Sequence, residues 1–300
     1  MPAKVLLKSR LDHVQFGRAV TDDDVDLLIC GEADVFKPDG RRLCSVRRGV
    51  VAPEHRELAR APAAHAGQQP SQNRGIASGG HREYQRKPDG TVSKTAQVVD
   101  EHGNRVWANS SVVGYFDRYP RMPYCRQTAF VINHGDEFDQ ILPLMADVAR
   151  CFEATVPDRY AAQMERINRT SHDFRIASTP WTTLTINYNW PTRTHTDKGD
   201  LDEGFSCLTV LRSGNYKGGL LVFPAFRVAV DLQDGDLIMM DAHEVHANTP
   251  IEGEDGYERI AIVLYYRTKM LECGTAAEEL ERAKMLRGSL TDEPDDLPAP

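Results

Sequence analysis

Six short runs rich in β-branched and aromatic residues, between positions 181 and 267, constrain the fold of this chain more than any other feature. The runs are WTTLTINYN, FSCLTVL, GGLLVFPAF, RVAVDL, GDLIMM and RIAIVLYYR. Turn signals that contain Gly, Asn and Asp, such as RSGN and QDGD, separate them. Many short strands at regular spacing are typical of a β-sandwich or jelly roll. The sequence therefore predicts a mainly β fold with a cupin-like, jelly-roll core.

Helical periodicity precedes these runs and returns at the end of the chain. FDQILPLMADVARCFEATVPDRYAAQMERIN predicts two helices between about 137 and 168, divided at Pro157, with Asp136 as the N-cap. TAAEELERAKMLRG predicts an amphipathic helix, and the acidic, Pro-rich tail after it is predicted to be disordered. We therefore expect an α+β arrangement, in which helices flank one side of the β core.

The N-terminal part predicts short strands and then a linker. ADVFKPDGRRLCSV indicates a hairpin whose turn is Pro38-Asp39-Gly40. Residues 52–73 are rich in Ala, Pro and Gln, which favours a loop or linker. These patterns divide the chain into an N-terminal part at 1–73, a main domain at 74–272, and a C-terminal helix with its tail at 273–300.

Composition excludes some classes of protein. The 300 residues carry a net charge of −8, which argues against a general nucleic-acid coat. None of the six cysteines forms a CxxC pair, so neither a zinc knuckle nor a dithiol redox site is indicated, and free thiols in a reducing compartment are expected. The N-terminal apolar run is too short for a signal peptide, and no run could span a bilayer. We expect a soluble, cytoplasmic protein that does not associate with membranes; its oligomeric state is left open.

A His-x-Asp pair, His195 and Asp197 in WPTRTHTDKGD, follows the first of the six strand-like runs. Such a pair is a weak signal alone, and the other one in the chain, His134-Gly135-Asp136, is explained by a helix cap. The pair His195 and Asp197 is followed by further strand-like runs and then by a distal histidine in DAHEVHANTP. Two histidines and one carboxylate on one face of an iron form the facial triad of non-haem Fe(II) oxygenases. The three positions left open would accept a 2-oxo acid and O₂.

Two residue choices complete this hypothesis. His246 is preferred to His243 as the distal ligand because it lies further into the loop, and His243 is then expected beside the ligands or in solvent. Arg259 opens the last strand, and its guanidinium could grip the distal carboxylate of 2-oxoglutarate with two charge-assisted hydrogen bonds. Arg267 is the next candidate. The alternative is that these are surface histidines in loops and a charge at a strand end.

At these residues the sequence resembles the TET/JBP group of Fe(II)/2-oxoglutarate dioxygenases. The resemblance lies in NYNWPTRTHTDKGDLDEGFSCLTVL, GGLLVFPAFRVAVDLQDGDLIMMDAHEVHANTP and RIAIVLYYR, with VVGYFDRYPRMPYCRQTAF upstream similar to compact members, including those of phages. It implies a double-stranded β-helix core, iron ligands at His195, Asp197 and His246, and a 2-oxoglutarate anchor at Arg259. It also implies Fe(II), 2-oxoglutarate and O₂ as cofactor and co-substrates, in a bacterium or a phage-infected cell.

The resemblance further implies oxidation of the 5-methyl group of a pyrimidine, 5-methylcytosine or thymine, in DNA. The local charge agrees with DNA as a partner, because residues 71–126 hold nine Lys and Arg against five Asp and Glu, with interleaved aromatic residues. The candidate substrate-binding residues are Arg118, Arg121, Arg126 and Asn187.

Two other functions stay open. Related cores also hydroxylate free small molecules, and the acidic charge of the whole chain fits such an enzyme. A jelly-roll protein that holds a metal or ligand without turnover is the other possibility, although the triad together with an arginine argues against it. The basic stretch could equally be a solvated loop beside ordinary core aromatics.

Overall fold

The computed structural model describes residues 1–71, 74–86, 88–119 and 122–291. Its strands are β1 (Ala3–Leu6), β2 (Leu27–Ile29), β3 (Ala33–Phe36), β4 (Arg42–Arg47), β5 (His81–Arg86), β6 (Val92–Val99), β7 (Ser110–Phe116), β8 (Arg126–Gln127), β9 (Thr183–Tyr188), β10 (Ser206–Ser213), β11 (Tyr216–Gly218), β12 (Leu221–Phe223), β13 (Val228–Val230), β14 (Leu237–Met240), β15 (Ala247–Asn248), β16 (Ile251–Gly253) and β17 (Glu258–Tyr265). Its α-helices are α1 (Pro53–Gln68), α2 (Ala129–Asn133), α3 (Gly135–Thr155), α4 (Pro157–Arg169) and α5 (Ala276–Thr291).

Two facing sheets form the core. A nine-stranded sheet has the order β1-β3-β4-β14-β10-β17-β9-β7-β8, and a four-stranded sheet has the order β15-β12-β13-β2. One apolar cluster fills the space between the two sheets, and another lies between the outer face of the larger sheet and helices α1 and α3. This architecture confirms the predicted class, mainly β with flanking helices and a jelly-roll core.

The central strands of the larger sheet are buried on both faces, since helices cover one face and the smaller sheet covers the other. On β10, Cys207 and Leu211 point to the helices, whereas Leu208 and Val210 point to the smaller sheet. A strand covered on both faces needs apolar residues at consecutive positions rather than at every second one. The same double burial explains why these segments could be recognised in the sequence as continuous apolar runs.

The two helices expected between 137 and 168 are confirmed as α3 and α4, which meet at Pro157. The expected cap is wrong. Asp136 lies inside the first turn of α3, and His134 occupies the N-cap position without a side-chain hydrogen bond to the helix. Asp136 there still benefits from the positive end of the helix dipole.

The interpretation of 52–73 as a linker is also wrong, since most of this segment is helix α1. Its Pro53 lies in the first turn, where a missing N–H costs nothing, and Ala, Glu, Arg and Leu favour the helix that follows. Small residues on its inner face, such as Ala63 and Ala66, are fully buried. Gly67 permits a still closer approach, because a Cβ there would lie 2.9 Å from the Tyr188 Cβ atom. Several of the Ala and Pro residues that suggested a loop are instead small residues that let α1 pack closely against the sheet.

The N-terminal strands belong to both sheets of the core. The hairpin predicted at Pro38-Asp39-Gly40 is confirmed as β3 and β4, and Gly40 supplies the positive φ of +82° in the turn. Strand β4 pairs with β14 in the large sheet, and β2 pairs with β13 in the small one. Residues 27–47 therefore extend the jelly roll.

The C-terminal helix is confirmed as α5, and the predicted disordered tail at 292–300 lies outside the described residues. The expectation of free thiols throughout is wrong for one pair, because Cys125 and Cys273 form a disulfide. The other four cysteines are free, and Cys44 and Cys207 are buried. Cys125 and Cys273 are 148 residues apart in the sequence, so no spacing pattern marked them as a bonded pair. Within the described residues, no helix is long and apolar enough to cross a membrane.

The apolar cluster between the larger sheet and helices α1 and α3 should contribute most of the stability of these helices. Ile141 on α3 is fully buried, whereas Ile132 on α2 is 64% exposed. We expect Ile141→Ala to lower the free energy of unfolding by about 2–5 kcal/mol, because it leaves a cavity in a close-packed core. Ile132→Ala is the matched control and should change it by less than about 0.5 kcal/mol. Urea unfolding followed by circular dichroism measures both, and equal losses would contradict this packing.

Candidate metal centre

The predicted pair and the distal histidine meet between the two sheets. His195 and Asp197 lie in the loop after β9, and His246 directly precedes β15. One potential ligand atom from each residue lies within 4.8 Å of the others. His243 is not part of this group, since its ring lies 3.0 Å from Asp202 and 3.3 Å from Asp241. The structure thus brings together His246, and not His243, with the His-x-Asp pair.

Backbone hydrogen bonds hold the three residues in place. The N–H of His195 donates to the carbonyl of His246, and the N–H of His246 donates back, both at 3.0 Å. The N–H of Asp197 donates to the carbonyl of Ala242 at 3.0 Å. The two loops are therefore joined at the residues that carry the imidazoles, and the ring centroids lie 4.4 Å apart.

The hydrogen bonds of the two rings leave one nitrogen of each for a ligand. Nδ1 of His195 lies 2.7 Å from the carbonyl oxygen of Arg193, and Nδ1 of His246 lies 3.0 Å from that of Glu244. A carbonyl only accepts, so each Nδ1 must carry the proton. Each Nε2 faces Asp197, at 3.7 Å for His195 and 3.6 Å for His246. This is the arrangement that metal-binding histidines adopt, with the other nitrogen donating to the backbone.

Electrostatics agree with a site for a cation. Burial, together with the nearby His246, lowers the pKa of His195 to about 4, so its imidazole is neutral near pH 7. Burial opposes ionisation of Asp197, but its close contact with His246 and the electrostatic attraction of the neighbouring imidazoles hold the pKa of Asp197 below its usual value. The same contact with Asp197 raises the pKa of His246 against the effect of burial. The two Nε2 atoms and the Asp197 carboxylate therefore surround one point, where a metal ion would bind in place of protons.

The three residues line a cavity of about 230 Å³. Its walls come from both sheets and include Thr185, Asn187, Leu208, Leu221, Met240, Ala261, Val263 and Tyr265. Thr185 and Asn187 reach it because they alternate on β9 with Leu184 and Ile186, which face the helices. Asn187 accepts a hydrogen bond of 2.5 Å from the Ser110 hydroxyl. The cavity is therefore polar on the β9 side and apolar around β10, β12 and β14.

Arg259 lies on β17, on the strand face that also carries the cavity residues Ala261 and Val263. Its side chain is 3% exposed. Among the described residues, no carboxylate lies at ion-pair distance from its guanidinium, and burial lowers its pKa. Gly219, with a φ of +68°, makes room for it, because a Cβ there would lie 2.6 Å from Arg259 Nε. A buried charge without a counter-charge is costly, so an anionic ligand would stabilise this arginine.

Two arginines, Arg267 and Arg74, line the cavity itself. Arg267 is already paired with Asp117, at 2.9 Å from Nε and 3.2 Å from a terminal nitrogen. Arg74 has a buried Nε without a hydrogen-bond partner, and its charge acts on all three residues of the His-Asp-His group. Sequence reasoning counted Arg74 only within the basic stretch, and nothing in its local sequence marks it as a cavity residue.

Asp200 is a second cavity residue that sequence reasoning missed. Burial and the charge of Asp197 raise its pKa to about 7, and the Ser206 hydroxyl donates to it at 2.6 Å. The only available signal was its place three residues after Asp197, in the same loop. The cavity thus contains a second carboxyl group, which is not a member of the His-Asp-His group but is influenced by its charge.

The other predicted substrate residues lie elsewhere. Arg118 is paired with Glu279 of α5. Arg126 lies over the rings of Phe116 and Tyr119, at 4.5 and 4.9 Å from their centroids. Neither lines the cavity, and Arg121 lies outside the described residues. Of the predicted substrate residues that the structure describes, Asn187 alone contributes to the cavity wall.

The geometry predicts which histidine controls metal affinity. We expect His246→Ala to weaken Mn(II) binding by more than about 100-fold, because changing only the partners of a metal ligand already costs about 10–100-fold. His243→Ala, three residues away, should leave the affinity unchanged. Isothermal titration of metal-free protein measures both. If the His243 variant loses Mn(II) binding and the His246 variant keeps it, His243 is the ligand instead.

Comparison with known proteins identifies the family. Residues 111–268 match the model of the Tet_JBP family, described as the oxygenase domain of the 2OGFeDO superfamily. The chain is 36% identical over 185 residues to thymine dioxygenase JBP1 of Leishmania braziliensis, which covers 58% of this chain and 22% of that protein. It is 34% identical over 191 residues to JBP1 of Crithidia fasciculata, covering 62% of this chain and 23% of that protein. The chain thus spans about a fifth of the length of these relatives.

A solved structure agrees with the fold. The structure of NgTET1 in complex with 5mC DNA superposes with a TM-score of 0.56, at 14% sequence identity, and the match covers 95% of this chain and 90% of that one. At this identity the likeness shows the fold alone, and it extends to the N-terminal strands that lie outside the family match. Since the family match covers more than half of the chain, the protein belongs to the Tet_JBP family of oxygenase domains.

Proposed function

We propose that this protein is an Fe(II)- and 2-oxoglutarate-dependent dioxygenase that oxidises the 5-methyl group of a pyrimidine in DNA. The observation that carries the proposal is the His195, Asp197 and His246 group, in which two Nε2 atoms and one carboxylate face each other. The family match and the relatives named as thymine dioxygenases support the substrate class.

The donor set fits iron. Two neutral imidazoles and one carboxylate on one side of a cavity are the ligands of the facial triad, which leaves positions open toward the cavity. In our proposal His195 and His246 bind through Nε2, and their Nδ1 hydrogen bonds to the backbone keep the rings oriented. Asp197 supplies the negative charge that favours a divalent cation.

The buried, unpaired guanidinium of Arg259 supports its role as the 2-oxoglutarate anchor. A carboxylate would remove the cost of that isolated charge through two hydrogen bonds of fixed geometry. Arg267 is less suited, because Asp117 already balances its charge. With Fe(II), 2-oxoglutarate and O₂ bound, the centre would supply C–H oxidation coupled to the conversion of 2-oxoglutarate into succinate and CO₂.

The remaining polar groups of the cavity suit a pyrimidine ring. Asn187, Asp200 and Arg267 line it and offer both donors and acceptors, which the edge of a flipped base requires. Apolar side chains such as Leu208 and Met240 would cover the methyl group and exclude water. A cavity of about 230 Å³ admits one base and not a duplex, so the target must leave the stack.

The hairpin β5–β6 is the best-placed element for holding DNA. The turn before it packs on the loop that leads to His195, because the Trp190 indole donates to the Ser78 hydroxyl at 2.7 Å and the Arg193 N–H donates to the Ala77 carbonyl at 2.7 Å. Arg82 and Arg86 on β5 are exposed, so their charges are available to phosphates. Arg118 and Arg126 would first have to leave their partners, so our proposal gives them a secondary role as outer contacts.

The decisive experiment is oxidation of defined DNA. Incubation with Fe(II), 2-oxoglutarate, O₂ and duplex DNA containing thymine or 5-methylcytosine should release succinate and yield an oxidised pyrimidine, detected by mass spectrometry of the nucleosides. The double variant Arg82→Ala/Arg86→Ala should need more DNA for half-maximal rate and show a weaker salt dependence. Arg118→Ala/Arg126→Ala is the comparison.

The outcomes separate the proposed activity from its rivals. Efficient oxidation of a free nucleoside or amino acid, with DNA ignored, would establish a small-molecule hydroxylase instead. Metal binding without succinate formation on any substrate would indicate a binding protein. A larger effect in the Arg118/Arg126 variant than in the hairpin variant would move the DNA path to that side.

Arg259 gives a separate test of the co-substrate. Arg259→Lys keeps the charge and loses the two-pronged geometry, so we expect the KM for 2-oxoglutarate to rise about tenfold, roughly 1.4 kcal/mol of binding free energy. Mn(II) affinity should be unchanged. Arg267→Lys is the control, and a larger rise in that variant would make Arg267 the anchor.

A further inference from the structure

A second group of metal-binding side chains lies outside the cavity, where α1 meets the junction of α2 and α3. His65 is in the last turn of α1, His134 connects α2 to α3, and Glu137 is in the first turn of α3. One potential ligand atom from each lies within 4.8 Å of the other two. Sequence reasoning assigned no metal to His134, because it considered only the neighbouring Asp136 and treated that residue as a cap.

Glu137 already joins the two histidines. One carboxylate oxygen of Glu137 lies 2.8 Å from His65 Nδ1, and the other lies 3.2 Å from His134 Nδ1. The two imidazole centroids are 4.6 Å apart. Both Nδ1 atoms therefore face the same carboxylate, so the three donors converge on one point although they come from two helices and a helix junction.

The surroundings restrain the two rings. Both pack against Phe130, with centroid distances of 5.6 Å for His65 and 5.2 Å for His134. The second nitrogen of His65 lies 3.4 Å from the Gln69 amide nitrogen, one turn further along the chain. His134 occupies the N-cap of α3 without capping it, so its ring is available for another role. The side chains of His65, His134 and Glu137 are 43%, 33% and 32% exposed, which leaves one side open to water.

We propose that His65, His134 and Glu137 bind a divalent transition-metal ion, with zinc as the best fit, and that water completes its coordination. In a tetrahedral zinc site the ligand atoms lie roughly 3.4 Å apart, because each is about 2.1 Å from the ion. The present contacts of 2.8 and 3.2 Å would have to lengthen by less than an ångström. Two imidazoles and one carboxylate suit zinc, copper or nickel, whereas magnesium and calcium prefer oxygen donors alone.

The position of this site indicates a structural role. Helix α1 packs on α3 and on strands β7 and β9, and His65 and Glu137 lie at one end of that helix pair. A bound ion would join α1 to α3 and close a long loop of the chain. Because the ion would bind the folded state and not the unfolded chain, it would stabilise the folded state. The site lies on the helical side of the large sheet, so its occupancy is separate from that of the cavity.

Metal stoichiometry tests the proposal. Metal-free protein is loaded with Zn(II), desalted, and analysed for zinc by mass spectrometry. We expect two equivalents in the parent, one in His65→Gln and in Glu137→Gln, and one in the double variant His195→Ala/Asp197→Ala. His102→Gln is the matched control and should keep both equivalents, since this histidine is exposed and lies 3.6 Å from Glu101 with no third ligand among the residues that the structure describes.

Thermal unfolding gives a second readout. Zn(II) should raise the Tm of the His195→Ala/Asp197→Ala variant, in which the cavity group is removed, and adding His65→Gln should abolish that rise. The proposal is overturned if His65→Gln and Glu137→Gln bind as much zinc as the parent, or if the parent binds a single equivalent that the cavity variant loses. Loss of both equivalents in the cluster variants would also overturn it, because the two sites are proposed to be independent.

Discussion

Double-sided burial of the large sheet is the constraint on which the rest of the molecule depends. Strands β10, β14 and β17 pack against helices on one face and against the small sheet on the other, so nearly every position along them is buried, and most of these positions are apolar. On β9 the inner face is different. Thr185 and Asn187 replace apolar residues there, and the cavity opens at that point. Apolar packing thus holds the sheet in place, and the polar side chains on the inner face of β9 mark the position of the cavity.

The sequence predicted most of the elements of the core and the members of the His-Asp-His group, because both depend on short-range patterns. Apolar runs mark strands that are covered on both faces, and His195 and Asp197 are two residues apart in the chain. The miss at α1 has a physical cause, since small residues that pack closely are also common in loops. Arg74, Asp200 and the bond between Cys125 and Cys273 depend on contacts made only by the folded chain, so no local pattern reveals them.

The cavity and the face of β17 that continues from it contain groups whose charges are only partly balanced within the protein. The Asp197 carboxylate faces two imidazole nitrogens at 3.6 and 3.7 Å, and Arg259 is buried without an acidic partner among the described residues. An apolar replacement of Arg259 would remove the cost of burying its charge, so the arginine is difficult to explain as a stabilising residue. The same site would gain from a cation at one end and an anion at the other, which is the combination that a metal ion and a dicarboxylate supply.

The pairing of β4 with β14 has a consequence for how much of the chain can fold alone. The family match begins at residue 111 and therefore omits β1 to β4 and helix α1. A fragment cut at those limits would expose β14 as a sheet edge, with unpaired backbone groups and apolar residues on both of its faces. It would also uncover the outer apolar surface that α1 occupies, and such edges invite association between chains. The segment matched by the family model is therefore too short to be expected to stay monomeric in solution by itself.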